Sequence, residues 1–121
     1  MNSVRAESMG TYREEIYTPY GPVEAAKRIS DWLRRDGHSY KVLEQGPDRF
    51  RLRRTVPVNP SIVFQLRLTD DSVRAECWVQ GMTQDPISPK AVWGAISRRT
   101  GWKDFLSLKE LLNYGVDQGA L

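Results

Sequence analysis

The sequence has 121 residues, 40% of them hydrophobic and 27% charged, which is enough chain to bury one core and too apolar for wholesale disorder. No apolar run approaches the ~18–20 residues of a membrane-spanning helix, and the opening residues Met1–Glu7 lack the hydrophobic stretch of a secretory signal, so a cytoplasmic setting is expected. The formal charge is only +3, but residues 27–54 carry nine Lys/Arg against four Asp/Glu, a local surplus of five. A surplus of this size could favour an acidic partner, yet it is common in proteins that bind no polyanion.

Residues 1–10 show no periodicity and read as a flexible tail; 11–115 read as one α+β domain, and 116–121 as a frayed end. Thr11–Thr18, with Tyr12, Ile16 and Tyr17, predicts a first strand. Pro19-Tyr20-Gly21-Pro22 is turn chemistry that opens a helix. The helix carries an apolar stripe of Val23, Ala26, Ile29 and Leu33 with Trp32 beside it, and Asp36-Gly37 supplies a left-handed cap. His38–Gln45 predicts a short strand around Tyr40 and Val42, and Gly46-Pro47-Asp48 turns the chain into an arginine-rich strand.

Three segments then alternate with period two: 49–54, 62–68 and 73–80. Phe50 and Leu52, then Ile62, Phe64, Leu66 and Leu68, then Val73, Ala75, Cys77 and Val79 form the inner set. Arg49, Arg51 and Arg53, then Gln65 and Arg67, then Arg74, Glu76, Trp78 and Gln80 form the outer one. The prolines at 57 and 60 make 55–60 a connection or an edge segment, because proline lacks the donor an interior strand needs. Asp70-Asp71-Ser72 is a hairpin turn and 81–86 a loop. Ser88-Pro89 starts a C-terminal helix with Val92, Ala95 and Ile96 on its apolar side and Trp93 alongside. That helix is expected to pause near Arg99-Thr100-Gly101, and Ser107-Leu108-Lys109-Glu110 has capping-box spacing for a restart, so one bent helix and two helices are both open.

The order strand, helix, four strands, helix predicts a curved antiparallel sheet with both helices on one face. This order resembles TATA-binding-protein-like half-domains and, more loosely, small helix-grip folds. The likeness is one of architecture, and no motif carries a site across.

The chemistry of an active site is hard to assemble. Cys77, the single cysteine, excludes an internal disulfide and falls on an inner face; His38, the single histidine, falls in a turn. No glycine-rich phosphate loop occurs and no spaced carboxylates suggest a metal, so neither cofactor nor metal is expected, and the protein reads as a non-enzyme. The leading expectation is a small binding module. Its outer sheet face would present Arg49, Arg51, Arg53, Arg67, Arg74 and Trp78 to a protein partner or a second copy of the chain. Nucleic acid is the alternative for the same residues, since guanidinium forks hold phosphate and an aromatic stacks on bases. A third reading is a carrier of small apolar ligands, with a pocket between helices and sheet lined by Trp32, Phe64, Cys77 and Trp93. The plainest reading is a solvated face. Trp78 separates these: exposed, it marks a face in use; covered by the protein itself, it leaves the arginines as surface.

Overall fold

The computed structural model of the protein describes residues 11–80, 86–87 and 95–114. Alternation along the strands sets the architecture. In β3 (Arg49–Arg54), β4 (Ser61–Leu68) and β5 (Ser72–Gln80), Phe50, Leu52, Phe64, Leu66, Ala75 and Cys77 all turn into one core. The period of two leaves the arginines on the other side. With β1 (Tyr12–Tyr17) and β2 (Lys41–Gly46) they form a curved, unclosed antiparallel sheet in the order β1-β5-β4-β3-β2. A two-residue β6 (Pro86–Ile87) pairs with β5 at Val79 and Gln80, inside the expected connection.

Both helices, α1 (Pro22–Arg34) and α2 (Ala95–Asn113), lie on the inner face. This is the α+β arrangement expected from the order of elements. Among the described residues no helix is long and apolar enough to cross a membrane.

Helix α1 starts at Gly21, whose φ of 93° suits glycine, with Pro22 in the first turn. Its buried face is Ala25, Ile29 and Trp32. The expected stripe is therefore rotated: Val23 faces solvent, and Ala26 and Leu33 flank the contact. Trp32 has the largest apolar surface on the helix, and turning it to the centre of the interface buries the most area. The expected left-handed glycine cap is also corrected. Only Gly21 among the described glycines has positive φ. The Arg35 and Gly37 amides both donate to the Trp32 carbonyl, at 3.1 and 2.8 Å. Gly37 is required for space: a Cβ there would overlap the indole ring of Trp32.

Helix α2 runs unbroken through the expected pause at Gly101. The glycine lies where the helix presses on the sheet, and a Cβ would sit 3.1 Å from Ile62 Cγ2. Ser107 is not a cap. Mid-helix, its hydroxyl accepts from Trp32 Nε1 at 3.1 Å and donates to Asp36 Oδ2 at 3.0 Å. Ile96, expected on the apolar side, is exposed, while Ser97 and Arg98 are buried, with Ser97 Oγ donating to the Pro60 carbonyl at 2.6 Å. The Ser88-Pro89 start, Val92 and Trp93 lie outside the described residues.

Polar groups tie the helices to each other and to the sheet. The last carbonyls of α2 lack helical partners. Arg28 Nη1 donates to the carbonyls of Leu111, Leu112 and Tyr114 at 3.2, 3.4 and 2.7 Å, and its guanidinium lies 4.0 Å over the Tyr20 ring. On the sheet's inner face Arg54 reaches Asp104 Oδ2 of α2 at 2.9 Å, and the Tyr40 hydroxyl donates to the same oxygen at 2.8 Å.

The edges are irregular. β2 has a register shift between Val42 and Glu44, and Lys41–Gln45 are exposed, so its apolar residues Val42 and Leu43 are not core as the expected strand around Val42 implied. Tyr40, just before it, is buried. On β1, Glu14 shares the inward side with Tyr12 and Ile16, accepts from Tyr12 at 2.7 Å and pairs with Lys109 of α2.

Two predictions follow from this packing. Gly37→Ala should destabilise the fold by about 1–3 kcal/mol in urea unfolding, because the added methyl meets a ring that cannot move away. Burial, reinforced by the Asp104 carboxylate, raises the Tyr40 phenol well above its ordinary pKa. The unfolded chain then loses the proton above about pH 10 while the folded one keeps it, so stability falls there by up to ~1.4 kcal/mol per pH unit. Tyr40→Phe should make that alkaline loss shallower, as read from urea midpoints across the alkaline range.

Candidate functional site

The register places outward side chains from all five long strands in cross-strand rows. One row reads Glu15, Arg74, Arg67, Arg49 from β1 through β5 and β4 to β3. The next, two residues along each strand, reads Arg13, Glu76, Gln65, Arg51, Glu44. A third holds Trp78, Val63, Arg53 and Lys41. The structure thus gathers all six sequence-predicted face residues on one surface, although only the register shows which are neighbours.

Their partners differ. Arg13 Nε lies 2.5 Å from Glu76 Oε2. Arg74 reaches Glu15 at 3.9 Å, and Arg49 reaches Asp48 at 3.5 Å and Glu44 at 3.8 Å. Arg53 Nη2 donates to Ser61 Oγ at 3.2 Å. Arg67 is exposed, stands directly between Arg74 and Arg49, and its guanidinium has no hydrogen-bond or ion-pair partner among the described residues. Directly opposed residues on antiparallel strands have Cβ atoms about 4.5–5.5 Å apart, and like charges there are destabilising.

Trp78 lies on the outer face but is only 9% exposed. Val63, itself buried, sits opposite it, the Arg51 guanidinium lies 5.8 Å from the ring centroid, and the indole N–H points to Gln80 Oε1 at 3.5 Å. The tryptophan is therefore covered by its own chain and offers no open ring to a base. By the criterion drawn from the sequence this outcome goes to the solvated-face reading, so any use of the face rests on the arginines themselves. Val63 is the residue missed by reading polar alternation alone. Its signal was the run Ile62-Val63-Phe64, which keeps an apolar residue on both faces of β4.

A depression of about 470 Å³ opens on this face between β1, β5 and β4. The outward side chains around it are Arg13, Glu15, Gln65, Arg67, Arg74 and Glu76. The alternative pocket residues are elsewhere. Phe64 and Cys77 are fully buried, and the Phe64 ring lies 5.0 Å from Tyr40, 6.1 Å from Phe105 and 6.2 Å from Trp32. Of the described members of the set, Trp32 alone borders a second depression, about 190 Å³, in the seam between the helices with Asp36, Ser107 and Tyr114. Trp93 is outside the described residues. Among the described residues no three His, Cys, Asp or Glu side chains gather to hold a metal ion.

Reversing one charge tests the arginine row. Arg67→Glu puts a carboxylate between two arginines and should raise stability by about 0.5–1 kcal/mol in urea unfolding; a loss of stability would show that the row is not in repulsion. A scan of the sequence against protein-family models finds no match. No curated protein matches it either, so the chemistry of this face carries the functional reading.

Proposed function

We propose that the protein is a small non-catalytic interaction module that meets an acidic protein partner through the outer sheet face, with Arg49, Arg67 and Arg74 at the centre and Arg51 and Arg53 beside them. The observation that carries this reading is Arg67, an exposed guanidinium held between two others with no acid of its own among the described residues. A solvated face gains nothing from that arrangement, whereas a partner carboxylate turns the repulsion into attraction.

The same rows favour a protein over nucleic acid. Glu15 and Glu44 stand at the ends of two rows and Glu76 between Arg13 and Gln65, so carboxylates border the arginines, where a phosphate backbone is best served by positive charge alone. Trp78, tucked under Arg51, is not a stacking platform. The face carries more arginines than glutamates, so a different, acidic chain complements it better than a second copy does. The close packing of Phe64 and Cys77 in the core supports this reading over an apolar-ligand carrier. Cys77, buried on the inner face, is withdrawn from nucleophilic chemistry, in keeping with a non-catalytic role. A cytoplasmic setting belongs to the same proposal.

The test is binding to polyglutamate beside duplex DNA and single-stranded RNA, each at rising salt. Polyglutamate should bind at low ionic strength and weaken with salt, and the double variant Arg49→Glu/Arg67→Glu should lose about tenfold or more in affinity with an intact fold. Nucleic-acid binding with indifference to polyglutamate would overturn the proposal.

A further inference from the structure

We infer that the depression between β1, β5 and β4 seats a single carboxylate side chain of the partner on Arg67, with Arg74 beside it; this rests on the interaction-face reading above. Glu14, which also borders the depression, turns inward to Lys109; the outward charges are Arg13, Arg67 and Arg74 against Glu15 and Glu76, leaving one positive charge uncompensated. That charge belongs to Arg67. Arg13 is closely paired with Glu76, whereas Arg74 stands 3.9 Å from Glu15, beyond a good hydrogen bond, so its guanidinium keeps N–H groups to offer. Gln65 lies opposite Glu76 and on the same face of β4 as Arg67, adding an amide to the floor.

Charge balance then selects among oxyanions. One carboxylate carries one negative charge and matches the surplus, and its two oxygens suit the planar fork of an arginine. A phosphate monoester carries about −1.5 to −2 at neutral pH, so it leaves negative charge facing Glu15 and Glu76. The seat therefore prefers glutamate or aspartate to a phosphorylated residue. The volume of about 470 Å³ holds a side chain of that size, and the open mouth admits one still attached to its own backbone.

The experiment uses the full chain and two synthetic peptides, one rich in glutamate and the other with phosphoserine at the glutamate positions, titrated into wild-type protein and into R67Q and R53Q at low ionic strength. R67Q should weaken the glutamate peptide about tenfold, and R53Q, on the same face but outside the depression, about twofold. In wild-type protein the Arg67 Nε–Hε resonance should shift on adding the glutamate peptide, a readout that requires no variant to fold. The phosphopeptide should bind no tighter than the glutamate peptide. Equal losses in R67Q and R53Q, with no shift at Arg67, would overturn the seat and leave the face reading standing. Tighter phosphopeptide binding would overturn the carboxylate assignment. No binding of either peptide by wild-type protein would overturn the face reading and the seat together.

Discussion

Trp32 is the constraint around which the described structure is organised. Its ring packs against Tyr40 and Phe64, at 5.4 and 6.2 Å between centroids, and closes over Gly37 at the end of α1. Its indole N–H finds Ser107 in α2, which in turn donates to Asp36. One side chain thus fixes the roll of α1, the path into β2 and the position of α2 over the sheet. The aromatic contacts continue from Phe64 to Phe105, then to Trp102 and Tyr12, so β1 at the far edge is tied into the same interior. A buried tryptophan needs both shape and a hydrogen-bond partner; near neighbours Gly37 and Tyr40 share the first with Phe64, and Ser107, distant in sequence, supplies the second.

The sheet was legible because period-two alternation assigns a face to every residue once one face is buried. Phe50, Leu52, Phe64 and Cys77 lie where that rule puts them. The helices were less legible because their apolar residues spread over a wide arc. Several nearby rotations satisfy the sequence of α1, and only contact with the sheet selects the one that centres Trp32. Glycine was misread twice for the same reason. At positions 37 and 101 it serves close approach to a ring and to Ile62, a property of the neighbour and not of the local chain. Ser107 likewise matched a capping pattern while answering a tryptophan from another helix.

The outer arginine face was legible as a set of residues but not as an arrangement. Alternation identifies the outward arginines, whereas the isolation of Arg67 depends on the register between β3, β4 and β5. Nor does local charge translate into surface charge. Two arginines of the basic segment 27–54 serve the interior: Arg28 closes the carbonyl end of α2, and Arg54 meets Asp104 beneath the sheet. What remains on the face is a mixed pattern in which glutamates border the arginines. Such a pattern discriminates by position, since a partner with its acids in the wrong places meets carboxylates instead.

The two outer strands give the molecule a further property. β2 carries a bulge and exposed charges, and β1 turns Glu14 inward against Lys109. Both are ways by which natural sheets refuse an additional strand. Among the described residues, an added strand would meet a register shift on one flank and an inward charge on the other, both of which disfavour edge-to-edge polymerisation. The proposed partner would then be met by side chains on the broad face. A main-chain ladder is nearly indifferent to sequence, but a face read through side chains can be retuned one substitution at a time while the backbone beneath stays the same.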